Sequence, residues 1–123
     1  MATMHVELVS PERKLYSGEA TMVICRPSGG DAAFLPGHAP FLGTLGIGPV
    51  VIRTAEGGEV RAAVHGGFVE VRNNKVTILS DVAELAADID PARAAGAKER
   101  AEKDGDIDGA RRAAVRMEIV AAR

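Results

Sequence analysis

Three histidines, one cysteine and a set of arginines are the side chains here with the most chemistry open to them, and their spacing decides which chemistry that is. His5, His38 and His65 fall in separate segments with no His-x-x-x-His or Cys-x-x-Cys spacing, so no metal site is expected. Cys25 lies between Ile24 and Arg26 in the β-rich run Ala-Thr-Met-Val-Ile-Cys and reads as a small buried hydrophobe rather than a nucleophile. As the single cysteine it cannot close an internal disulfide, which fits a reducing compartment. No Ser occupies a nucleophile elbow and no Gly-rich loop opens a helix in phosphate-binding form, so nothing catalytic is expected.

The charged residues of the last third have two readings each. Asp90 followed by Pro91 fits an N-cap and first helical position, because proline lacks the N–H that would be orphaned there. Arg93 stands three residues on, within reach of an ion pair along the same helix. From Ala110 onward, Arg111, Arg112, Arg116 and Arg123 are set against one acid, Glu118. That helix is either a solvated face with neighbours four residues apart or a basic surface for an acidic partner.

The elements that must position these residues follow from how the composition is distributed along 123 residues, a length for one compact domain with a small appendage. The first 87 residues hold seven basic and nine acidic side chains; the last 36 hold eight of each. Gly falls from eleven to three across that boundary, while ten Ala crowd into the tail. The pattern predicts a turn-rich β domain over 1–87 and a helical domain over 88–123. Met4, Val6 and Leu8 alternate with His5 and Glu7 as in a half-buried strand, and Glu19 to Arg26 supplies another. Gly48 to Thr54 and Glu59 to Val64 flank Glu56-Gly57-Gly58, and Phe68 to Arg72 and Lys75 to Leu79 flank Asn73-Asn74, so two hairpins are expected. Asn tolerates the positive φ that a type I′ turn demands at both central positions.

In the tail, the first helix is expected from about Pro91 to Lys103, closed by a left-handed Gly105, with Asp106 and Asp108 offering new N-caps. The second should span about Gly109 to Ala122, each arm about 20 Å long. The two should fold back as an antiparallel hairpin whose Ala-rich faces bury little area, a profile that fits either an edge cap or a detachable switch. A net charge of −2 and an aromatic content of 3% exclude bulk capture of nucleic acid. No stretch approaches the roughly 20 apolar residues of a membrane span, nor is a signal peptide evident at the start.

Two Pro and one Gly set a tight turn in Leu35-Pro36-Gly37-His38-Ala39-Pro40. With Gly18-Glu19-Ala20 before it, and Gly66-Gly67-Phe68-Val69-Glu70-Val71 and Val76-Thr77-Ile78-Leu79 after it, the chain resembles the epsilon subunit of bacterial F-type ATP synthases from Val6 through the tail. The resemblance is to short-tailed forms, whose reach toward the catalytic head is smaller. It implies an α+β protein, an all-β sandwich of about ten strands followed by a two-helix hairpin. It implies a non-catalytic rotor subunit on the cytoplasmic face of the cell membrane, peripheral to it and held there only through the complex. Its partners would be the gamma subunit, the c-ring and the alpha and beta subunits. Asp31 holds the place of an acidic residue near the c-ring loops, and His38 that of the turn histidine near gamma. Ile89-Asp90-Pro91-Ala92-Arg93-Ala94 fits a pattern tied to ATP binding in some family members, with Glu84 and Arg100 at further positions of that pocket. No cofactor is expected beyond this regulatory ATP. Arg111, Arg112, Arg116 and Arg123 would be the contacts of an inhibitory second helix, and they are also the candidates for the second-helix arginines of that ATP pocket.

Overall fold

The computed structural model describes residues 2–27 and 30–121. Among the described residues seven strands precede two helices: β1 (Met4–Val9), β2 (Lys14–Cys25), β3 (Ala32–Phe34), β4 (Phe41–Thr54), β5 (Glu59–Arg72), β6 (Lys75–Ser80), β7 (Ala83–Leu85), a 3₁₀ turn (Ala86–Asp88), α1 (Pro91–Asp104) and α2 (Ile107–Ala121). The strands run in the order β1-β6-β5-β4-β2-β3, and β1 also pairs with β2, which closes the sheet on itself as a flattened sandwich. Closure leaves β3 and β7, three residues each, as the short strands outside the ring. All pairings are antiparallel except β1 with β6.

Seven strands rather than about ten is a correction with a visible cause. β4 and β5 are each 14 residues long and run without a break through both faces of the sandwich. Along β5 the positions that enter the sandwich core are Ala62 and Val64, then Val69 and Val71, with Ala63 buried on the opposite face under the hairpin, so the inward-facing parity switches between them. The switch falls at Gly66 and Gly67, whose φ values of +91° and +136° no ordinary side chain adopts readily. At Gly67 a Cβ would run into the Leu79 carbonyl oxygen of β6. Leu45 and Val50 mark the same change of parity in β4. The glycines bend the strands instead of ending them.

Inside, Met4, Val6, Leu8, Val23, Cys25, Phe34, Val50, Ile52, Val64, Val69, Val76 and Ile78 form the main core. Burial pushes the Cys25 thiol up to about 12, so it is an inert core side chain. The Asn73-Asn74 turn has φ values of +51° and +59°, as a type I′ turn requires. Asn74 also ties the Pro-Gly turn to the body: its side-chain oxygen accepts from Gly37 N at 2.9 Å and its amide donates to Thr3 O at 2.8 Å.

The hairpin starts and stops where its capping residues dictate. Asp90 accepts from Ala92 N and Arg93 N, Pro91 opens α1, and Gly105 closes it at φ +70°. Asp106 then accepts from Gly109 N at 2.9 Å, so α2 begins two residues before the expected Gly109. Val115 and Ile119 of α2 pack with Ala63, Ala86, Ile89 and Ala94 in a second cluster, against the outer face of β4 and β5. Fully buried, an aliphatic side chain of this size contributes roughly 1.5–3 kcal/mol, so few residues hold the hairpin down.

Candidate functional site

Six residues that the sequence singles out, Glu84, Ile89, Asp90, Arg93, Ala94 and Arg100, line one cavity of about 340 Å³ between β7 and the hairpin. Asp88, Ala97 and Arg116 complete its wall. The volume falls within the roughly 300–1,000 Å³ of small-molecule sites. Room exists because α1 turns Ala94 and Ala97 toward it, three residues apart on one helical face.

The charges around the cavity are not equally committed. Asp90 Oδ1 is occupied by the amides of Ala92 and Arg93 at 3.0 and 3.3 Å. Asp88 takes Arg13 at 3.4 Å. Glu84 Oε1 accepts from Arg116 Nε at 2.6 Å and from His65 Nε2 at 2.9 Å. Burial alone would raise the Glu84 carboxyl, but Arg116 and His65 outweigh it and hold the group below the ordinary carboxylate range. By contrast, Arg93 and Arg100 have no ion-pair or hydrogen-bond partner for their guanidiniums among the described residues. Seven residues apart on α1, they stand on one side of the helix about 10 Å from each other along its axis. Three acids with partners of their own and two uncommitted guanidiniums make a cavity suited to an extended anion.

The other candidates lie elsewhere. Asp31 is exposed and pairs with Arg26 at 2.8 Å; Arg26 also reaches Glu118 of α2 at 3.7 Å. His38 is exposed on the Pro-Gly turn, its Nδ1 2.7 Å from Ala39 O and its ring edge-on to Phe34 at 5.0 Å. Arg111 is exposed and Arg112 half-buried, whereas Arg116 is drawn into the cavity wall by Glu84. Arg123 lies outside the described residues. His65, which the spacing of the histidines leaves without a role, neighbours this cavity through Glu84. Its alternation with Ala63 along β5 was the available signal, since both point to the hairpin side; nothing in the sequence pairs Arg116 with Glu84.

Comparison with known proteins agrees with this architecture. The beta-sandwich domain model of the ATP synthase delta/epsilon chain matches residues 3–86. The chain belongs to the ATP synthase delta/epsilon chain family. The "ATP synthase epsilon chain" of Streptomyces avermitilis is 51% identical over 122 residues, 99% of this chain and 98% of its own length. That of Streptomyces griseus is 52% identical over the same span, and that of Brevibacillus brevis 52% over 103 residues, 84% of this chain and 78% of its own. A chain in the mitochondrial ATP synthase of Euglena gracilis, determined with OSCP, F1 and c-ring, superimposes with a TM-score of 0.76 at 21% identity, covering 98% of this chain and 79% of that one. This last likeness speaks for the fold alone. Kinship with the epsilon chains extends through sandwich and hairpin alike, so within the family this chain is of the epsilon type.

Proposed function

We propose that this epsilon-type subunit acts as a non-catalytic part of the rotor, joining gamma to the c-ring at the cytoplasmic face of the membrane, and that its hairpin cavity takes ATP as a regulatory ligand. The rotor reading is supported by full-length similarity to epsilon chains and by a fold shared with a chain in an F1/c-ring assembly. In it, the exposed Asp31 and His38 face the c-ring and gamma respectively. In this reading attachment to the membrane runs through the partners; no helix among the described residues is long and apolar enough to cross a membrane.

The regulatory reading is carried by one observation, the two uncommitted guanidiniums of Arg93 and Arg100 over a cavity whose wall includes both α1 and α2. Arg93 and Arg100 would bind the phosphates and Glu84, through its second oxygen, a donor at the other end of the ligand. A ligand spanning both helices favours the folded hairpin, since only that state has the whole site. At 100 times its dissociation constant it would add about 2.7 kcal/mol to docking, comparable to one buried aliphatic side chain of the hairpin cluster. Arg111 and Arg112 remain available to an acidic surface of the catalytic head when the hairpin is extended.

The rotor assignment is tested by reconstituting the ATP synthase with and without the chain. Stoichiometric co-purification with gamma, and loss of coupled ATP synthesis in the chain's absence, is the expected result. Assembly and coupling that are indifferent to the chain would overturn it.

A further inference from the structure

His65 lies at the seam where the hairpin meets the sandwich, and it is the buried titratable group there that the proposed ligand chemistry does not use. Its side chain is only 4% exposed. Nε2 lies 2.9 Å from Glu84 Oε1, and since a carboxylate cannot donate, the imidazole carries its proton on Nε2. Nδ1 is buried with no hydrogen-bond partner among the described residues. A second proton would therefore create a buried N–H aimed at no acceptor of the protein.

The charges around the ring come from several elements. β7 contributes Glu84, and α2 contributes Arg116, which shares the same carboxylate oxygen, and Arg112. In β4 the residue paired with His65 is the apolar Ile47. The turn before β7 brings Asp81, near Gly66. Burial depresses the imidazole below its ordinary 6.5; Glu84 pulls the other way, and Arg116 and Arg112 add to the depression. Undocking of α2 changes this balance in one direction. It carries off both arginines and opens the ring to water, while Glu84 stays beside it because β7 remains paired with β5 through Ala63 and Glu84.

We propose that His65 is a proton-sensitive latch: the docked hairpin requires a neutral imidazole at this position, and its protonation in mildly acidic solution releases α2 from the sandwich. The sign follows from linkage. The undocked state takes up a proton that the docked state refuses, so docking is strongest above pH 6.5 and weakens as pH falls below it. The slope is up to about tenfold in the docking equilibrium per pH unit, for one proton. The latch does not depend on the cavity taking ATP.

The test is amide hydrogen exchange of the full chain, without nucleotide, read as protection factors of Ala113, Val115 and Ile119 between pH 7.5 and 5.0. Protection in the wild type should fall by up to about tenfold per unit below pH 6.5, and in His65→Gln, which keeps a donor for Glu84 but cannot take the proton, it should stay level. His5 and His38 are common to both proteins and drop out of the difference. An equal fall in both, or none in the wild type, overturns the proposal. Titration of the His65 ring by NMR needs no variant: a midpoint at or above 6.5 with α2 still docked would also overturn it.

Discussion

Arg93 and Arg100 illustrate how a residue's role depends on what its neighbours are already doing. Asp90 lies three residues before Arg93, yet its Oδ1 is taken by the backbone amides that open α1, and the guanidinium pairs with no acid among the described residues. Glu7 is the opposite case. Its carboxylate bonds Lys14 at 2.7 Å and Lys75 at 2.8 Å, and those two ammonium groups lower it to about 2. The pair of contacts joins β1 to both of its neighbours, β2 and β6. Because the folded value lies below the unfolded one, the unfolded chain takes the proton first as pH falls. The stabilisation is whole above pH 4.5 and fades toward pH 2. Denaturation of Glu7→Gln beside the wild type should show the variant weaker at pH 7 and the two converging near pH 2. A gap that stays constant across that range would mean that the lysines do not hold the carboxylate.

Among the elements, Gly67 tests the idea that β5 is one bent strand. Gly67→Ala sets a methyl against the Leu79 carbonyl at a φ of +136°, so a loss of more than about 2 kcal/mol is expected in urea melts. Gly58→Ala, in the β4–β5 turn and without a positive φ, where a Cβ would meet only the Thr54 hydroxyl at 3.4 Å, is the control and should cost much less. Equal effects would contradict the bend. The same glycines explain why element identity was legible in the sequence and strand number was not. Asn73-Asn74, Asp90-Pro91 and Gly105 act locally, through the φ values and orphan amides of a single turn, and each marks its boundary within a residue or two. Gly66-Gly67 also reads as punctuation, but whether a glycine ends a strand or bends it depends on partners far along the chain. Here β4 and β6 flank it on both sides.

At the scale of the whole molecule, the closed sandwich and the hairpin are held by unlike means. The sandwich has a continuous aliphatic core and a ring of paired strands; the hairpin leans on Val115, Ile119 and a floor of alanines, with Arg116, Glu84 and His65 as polar fastenings. That asymmetry was visible in the shift from Gly-rich to Ala-rich composition near residue 87. The residues that fasten the two parts were not, because Glu84 and Arg116 are 32 positions apart and neither lies in a motif with the other. Family resemblance supplied Glu84, Asp90, Arg93 and Arg100 as a set, and the fold brings those four to one cavity. Of the four candidate arginines of the second helix, Arg116 lines it too, while Asp88 and Ala97 join only in three dimensions.

Control of the hairpin by a ligand seated between β7 and the two helices is tested most directly by calorimetric titration of the full chain with ATP. Saturable one-to-one binding, reduced at least tenfold in Arg93→Ala and in Arg100→Ala while the sandwich stays folded, is the predicted result. No heat at millimolar ATP, or binding that both variants retain in full, would contradict it.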